Sequence, residues 1–290
     1  MAETALVNGR PDSHALISNR GLAYGDGLFE TIAYSDGALR LWDLHVDRLL
    51  GGCQRLGIPL PDIDLLEQEA LQSAGRRRRS VVKIILTRVS AGRGYTPVPM
   101  SNPDDSPYLS NNSGVDRIVQ AFDWPTTYDK WQATGVHVGL CESIVSENPQ
   151  LAGIKHLNRL DQVLGAKEVF EKGWDEGLMA RHDGPLVGGT KSNFYMLHNG
   201  VIYTPQLRTC GVAGVMREHI LRLAPQLNFV VEQRDIEVEE LLYADAIFIS
   251  NAILGIAFVS SLSPSIRGPS TNLKFERNNI VTTLAESVKH

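Results

Sequence analysis

Apolar and polar positions alternate with a period of two in several short runs, and with helical spacing in others. The segments "ALVNGRP" and "FETIAYSDGALRLW" each flank an Asn-Gly or Asp-Gly pair, at Asn8–Gly9 and Asp36–Gly37. Both read as hairpins, because these pairs supply the positive φ that a tight two-residue turn needs. "LHVDRLLGGCQRLGI" carries Leu44, Leu49, Leu50 and Leu56 at roughly helical spacing, with Gly57 as a stop. "LLEQEALQSAG" reads as a second helix, and "SVVKIILTR" as a Val- and Ile-rich strand. "RIVQAF" is a further strand. Hairpins mixed with helices predict an α+β arrangement for this first part.

The polar run "PMSNPDDSPYLSNNSG", Pro99 to Gly114, reads as a loop, and "DWPTTYDKW" as a connector. A second α/β unit follows. It holds a strand at "GVHVGLCES", a helix through "NRLDQVLGAKEVFEKG", and hairpins turning at Asp183–Gly184 and Asn199–Gly200. A helix from about Val215, a strand at "NFVVEQRDI", a short helix at "VEELLYA" and a strand at "AIFISNA" complete it. The expected division is an N-terminal domain over 1–121, a linker over 122–127 and a C-terminal domain over 128–290, with no internal repeat of fixed period.

Composition narrows the function classes. With 43% hydrophobic residues, the 290-residue chain can bury a sizeable core. A net charge of -5 argues against a chain-wide attraction to nucleic acid or anionic membrane. No apolar run is long enough to span a bilayer, and "MAETALVNGR" lacks a signal-peptide core. Cys53, Cys141 and Cys210 are scattered, as suits reduced thiols in a cytoplasmic protein. No CxxC or paired-His spacing suggests a metal site.

Five stretches could carry chemistry. Arg76 to Arg79 is either a phosphate-binding patch or, more in keeping with an acidic chain, a solvated turn. "GGTKS", Gly188 to Ser192, resembles half of a phosphate loop but lacks the Walker spacing. His45 and Arg48 in "HVDR" lie three apart on one helix face, able to grip a phosphate or simply to face water. Lys155 sits between Ile154 and Leu157 just before a helix; it is either an exposed helix-start lysine or one whose pKa falls with lost solvation, giving the free amine that condensation with a carbonyl requires. "TRVSAGRGY" adds a glycine-rich loop with Arg88, Arg93 and Tyr95, and an arginine fork there suits a carboxylate ligand.

Taken in order, "NRGLAYGDGLFETI", "HVDRLLGGCQRLGI", "TRVSAGRGY", "LAGIKHLNRLDQVL", "SNFYMLHNGVIYTP" and "CGVAGVMR" resemble the 4-amino-4-deoxychorismate lyase family over almost the whole chain. That family belongs to the fold type IV pyridoxal-phosphate enzymes, with the D-amino-acid and branched-chain aminotransferases. The resemblance implies a two-domain α/β subunit, a homodimer in the cytoplasm, and pyridoxal 5'-phosphate held between the domains. It implies loss of pyruvate from 4-amino-4-deoxychorismate to leave 4-aminobenzoate for folate synthesis. By this resemblance Lys155 bonds the cofactor and moves protons. Arg48, the backbone N–H groups of Val215 and Met216, and the turn at Asn251–Ala252 meet its phosphate. Arg93 and Tyr95 present a substrate-carboxylate loop, and Phe29 walls the pocket. One departure stands out. The family carries a glutamate five residues before the asparagine of its Ser-Asn pair, paired with the pyridine nitrogen, and counting back from Asn193 lands on Gly188. The expectation is a cofactor that still binds but a weaker electron sink and slower turnover. An aminotransferase on the same scaffold, and a weakly active or non-catalytic cofactor-binding homologue, are the rival readings.

Overall fold

The computed structural model describes residues 5–7, 19–89, 94–97, 114–265 and 270–289. The chain divides into two compact units. One comprises Met1–Trp124 with Ile154–Asn158; the other comprises Pro125–Gly153 with Arg159–His290.

The first unit is a five-stranded sheet of β1 (Ala5–Val7), β2 (Gly27–Ser35), β3 (Ala38–Leu39), β4 (Arg79–Arg88) and β5 (Val115–Asp123), in the order β1-β5-β4-β2-β3. All its pairings are antiparallel. The β2–β3 hairpin turns at Asp36 and Gly37, with φ of 51° and 90°, as the Asp-Gly pair predicts. The Asn8–Gly9 turn lies outside the described residues. Helices α1 (Arg20–Tyr24), α2 (Trp42–Leu56) and α3 (Ile63–Ala74) accompany the sheet. α2 stops where Gly57 enters the left-handed region at φ 62°, its N–H returning to Cys53 and Gln54. The core gathers Leu28, Ile32, Leu49, Cys53, Leu66 and Ile154 among others. Within it, Arg117 of β5 and Glu69 of α3 form a two-pronged ion pair at 3.0 and 2.9 Å.

The second unit opens with α4 (Thr126–Thr134), a helix in the stretch read as a connector. It continues with β6 (Val136–Leu140), α5 (Leu160–Lys172), β7 (Glu176–Ala180), β8 (Leu186–Gly189), β9 (Asn193–His198) and β10 (Val201–Pro205). Then come α6 (Val215–Gln226), β11 (Val230–Arg234), a 3-10 turn over Val238–Tyr243, β12 (Ala246–Asn251), β13 (Gly255–Leu262), β14 (Leu273–Lys274) and α7 (Asn279–Ser287). The strand order is β11-β10-β9-β12-β13-β6-β7-β8, with β14 on β13. β6 and β7 are parallel and α5 lies between them in sequence; β10 and β11 are parallel across α6. Parallel neighbours need such crossovers. The β9–β10 turn uses Asn199 and Gly200 at φ 50° and 78°. No helix among the described residues is long and apolar enough to cross a membrane. Cys53, Cys141 and Cys210 are all free and buried.

Candidate active site

In the first unit, the chain segment at Lys155 is pinned against β2. Phe29 N–H donates to the Lys155 carbonyl at 3.0 Å, Leu157 N–H donates to Gly27 at 3.0 Å, and Leu28 bridges His156. Ile154 is buried in the core beneath, so the next side chain is turned the other way. Lys155 is half-buried, and its Nζ stands 4.2 Å from the centre of the Phe29 ring. An amine resting on a ring face keeps its charge in partial contact with apolar surface. Phe29 itself is half-buried.

Behind Phe29, Glu30 is 1% exposed. Its carboxylate accepts from Arg48 Nε at 2.8 Å, from Arg48 Nη2, and from His45 Nδ1 at 2.6 Å. Burial alone would raise the Glu30 pKa; the Arg48 charge and the His45 bond more than offset it and bring it down to about 2. His45 moves the other way from most paired histidines. Burial depresses its pKa despite the Glu30 contact, and the Arg48 and Lys155 charges add to the depression. So the "HVDR" pair is not a symmetrical grip: His45 is buried on Glu30, while Arg48 is held by the same carboxylate.

Arg93 lies outside the described residues. Its neighbour Tyr95 is 85% exposed, with its ring 5.3 Å from Tyr24. Arg20 holds this loop by its backbone, donating to the carbonyls of Gly94 at 2.8 Å and Tyr95 at 3.0 Å. Arg20 is in turn paired with Asp26, which also accepts from Arg88 at 2.9 Å. Arg88 donates further to the carbonyls of Leu56 and Gly57 at the end of α2. Arg88 therefore ties β4 to α2. In the Arg76–Arg79 run Arg76, Arg78 and Arg79 are exposed, as a solvated turn predicts; Arg77 bonds the last carbonyls of α3, and Arg79 lies 4.0 Å over Trp124.

In the second unit, α6 begins at Val215 and Met216, both buried, with Gly214 as its N-cap. No side chain caps this end. The first turn of a helix presents backbone N–H groups and the positive end of the dipole, a setting suited to phosphate. Arg217 turns away to bond Pro205 and Gln233, which fixes the helix to the β10–β11 ladder. Asn251 ends β12; its Oδ1 accepts from Ile253 and Leu254 at 2.9 and 2.7 Å. Its Nδ2 donates to the Lys191 carbonyl at 3.3 Å, so both ends of the amide are engaged and the Asn251–Ala252 contribution to an anion would come from backbone.

Gly188 lies in β8, opposite Met179. A Cβ there would meet only the Ser192 carbonyl at 3.0 Å and Asn193 Cα at 3.9 Å, and the residue is absent from the positive-φ glycines. The φ suits any residue, and a side chain there requires the Ser192 carbonyl to give by a few tenths of an ångström. The neighbouring turn is held by Glu176, which sequence reading missed. Glu176 is 0% exposed and accepts from Gly177 N at 2.9 Å, Thr190 N at 3.1 Å, Thr190 Oγ1 at 2.5 Å and Ser192 Oγ at 2.9 Å. Three of these donors converge on Oε1 and one on Oε2, which ties the carboxylate to its own turn. Lys191 in the same turn lies 5.0 Å over Trp131. Among the described residues no group of three or more His, Cys, Asp or Glu could hold a metal ion.

The amino-transferase class IV model matches residues 27–262. The chain belongs to that family. It is 33% identical over 257 residues to an aminodeoxychorismate lyase of Vibrio harveyi, covering 89% of this chain and 90% of the relative. A D-alanine aminotransferase of Bacillus licheniformis is 27% identical, over 94% of this chain and 91% of its own. Among solved structures, a 4-amino-4-deoxychorismate lyase from Pseudomonas aeruginosa is 35% identical, with a TM-score of 0.85 and 98% of each chain covered. The fold is therefore the type IV architecture that the motifs suggested.

Proposed function

We propose that this family member is a pyridoxal-phosphate-dependent lyase converting 4-amino-4-deoxychorismate to 4-aminobenzoate and pyruvate, in the cytoplasm and as a homodimer, on the route to folate. The observation that carries this is similarity to two named lyases along nearly the whole of each chain, at higher identity than to the D-alanine aminotransferase.

The residues present fit most of the cofactor. Lys155 supplies an amine at the edge of the first unit's core, and Arg48 a guanidinium already oriented by Glu30. Val215 and Met216 supply helix-start N–H groups, and the Asn251–Ala252 turn a further backbone contact. The bound cofactor supplies an electron-withdrawing ring that stabilises negative charge on the substrate carbon next to nitrogen. Lys155 Nζ would be the base that removes the proton from that carbon and the acid that returns one to the departing enolpyruvyl oxygen. Phe29 walls one flank of Lys155 Nζ, with the amine 4.2 Å from the ring centre. Arg93 and Tyr95 recognise substrate carboxylate. The substrate ring becomes aromatic as pyruvate leaves, so the reaction draws less on the cofactor than transamination does. That asymmetry suits a chain with Gly188 in place of a carboxylate.

The experiment is incubation with aminodeoxychorismate while 4-aminobenzoate, pyruvate and the cofactor spectrum are followed together. Borohydride should fix the cofactor on Lys155. Amine transfer from D-alanine or a branched-chain amino acid to a keto acid, without 4-aminobenzoate, would establish an aminotransferase instead. Cofactor binding with silence toward all substrates would establish a non-catalytic homologue.

A further inference from the structure

Along β2, Leu28, Glu30, Ile32 and Tyr34 follow one another at period two, and all four are buried. Glu30 thus places a carboxylate on the apolar face of the strand. Such a group is costly unless it is fully paired. Its pairing is asymmetric. One oxygen accepts from Arg48 Nε at 2.8 Å; the other accepts from both Arg48 Nη2 and His45 Nδ1. An ionised carboxylate cannot donate, so His45 Nδ1 carries the proton. His45 Nε2 is buried without a hydrogen-bond partner. In the neutral ring that atom is a bare lone pair; protonating it would bury an unmatched donor beside Arg48. His45 is accordingly a neutral brace and not a second cation.

The unit contains an internal contrast. In the Arg117–Glu69 pair both side chains are sealed, at 2% and 4% exposure. In the Arg48–Glu30 pair the carboxylate is sealed at 2% while the arginine reaches 12%. The two bonds from Glu30 set the plane of the Arg48 guanidinium, and with it the direction of its other N–H groups. A planar fork fixed in advance loses less freedom when it meets an anion.

We infer that Glu30 is the positioning residue for the phosphate-binding guanidinium of Arg48, with neutral His45 bracing the carboxylate from the helix turn below. This rests on the reading of Arg48 as a ligand of the cofactor phosphate.

The test is titration of the apoprotein with pyridoxal phosphate and, separately, with pyridoxal, which lacks the phosphate. Binding is read from the absorbance of the carbonyl compound joined to Lys155. Glu30→Gln should weaken pyridoxal phosphate by about tenfold or more while leaving pyridoxal little changed. Arg48→Met should do the same, and Glu30→Gln added to Arg48→Met should cost nothing further. Equal weakening of both compounds by Glu30→Gln would make Glu30 a packing residue and overturn the inference, as would no change in either. Should Glu30→Gln fail to fold, Glu30→Asp keeps the charge but shortens the reach. It should lose part of the phosphate preference, and an unchanged preference overturns the inference. Loss of preference in Arg48→Met but not in the Glu30 variants sinks the inference alone. No loss in Arg48→Met sinks it together with the phosphate role of Arg48.

Discussion

Asn193 Oδ1 stands 1.9 Å from the point where a Cβ on Gly214 would lie. The asparagine cannot easily yield, because its Nδ2 donates to the Val212 carbonyl at 2.9 Å and the residue is buried. The first residue of β9 is therefore locked to the N-cap of α6, and only glycine fits between them. Gly214→Ala must push the start of α6 away from Asn193. The expected result is a folded protein whose affinity for pyridoxal phosphate drops by about tenfold or more. Circular dichroism and cofactor titration check the two halves of that statement.

Gly188 offers a milder case, a glycine where a side chain needs only a small shift of the backbone. Its nearest obstacles are the Ser192 carbonyl at 3.0 Å and Asn193 Cα at 3.9 Å, so a Cβ needs a shift of a few tenths of an ångström. Glu176 cannot swing over to substitute, since four donors already hold it. Gly188→Glu should raise lyase turnover and shift the spectrum of the bound cofactor, because an opposite charge would favour a protonated ring nitrogen. Turnover that stays flat would mean that the absent carboxylate does not limit the rate.

Much of this organisation could be read along the chain, for identifiable reasons. The Asp36–Gly37 and Asn199–Gly200 turns adopt the positive φ that their residues favour. Gly57 ends α2 for the same reason. α4 was taken for a connector because Pro125 and two threonines open it and only Trp131 is buried, so no apolar stripe announces it. β13 lies between β12 and β6, and its burial follows no two-residue period, so no polar alternation marks it. Glu176 was invisible because its partners Thr190 and Ser192 are brought to it by the β7–β8 hairpin. Glu30 did leave a trace: it falls in phase with Leu28 and Ile32, and a carboxylate in that phase signals a buried pair.

Glu176 also predicts a stability effect. Glu176→Gln keeps the shape but replaces an acceptor oxygen with an N–H that faces donors from Thr190, Ser192 or Gly177. Losing a charged acceptor and leaving buried donors unmatched costs about 2–4 kcal/mol. Urea unfolding should show a lowered midpoint with an unchanged slope. Gly189→Ala should act on the same turn, since a Cβ there would lie 2.2 Å from Ser192 Oγ.

The Glu30–His45 pair gives stability a definite pH dependence. His45 has a folded pKa depressed below 6.5 by burial, so the unfolded chain binds the proton first. Its contribution is complete above that ordinary value and declines as pH falls below it. Glu30, brought from 4.5 to about 2, contributes fully above 4.5 and loses its contribution as pH falls toward 2. Both slopes have the same sign, so stability should fall in two stages on acidification. The Arg48 and Lys155 charges add to burial in opposing protonation of His45. His45→Gln should flatten the upper stage and leave the lower one, and Glu30→Gln should flatten the lower stage at reduced overall stability. Denaturant midpoints measured from pH 8 down to the onset of acid unfolding check both, and a His45→Gln profile that parallels the unsubstituted protein would show that His45 is not neutral in the fold.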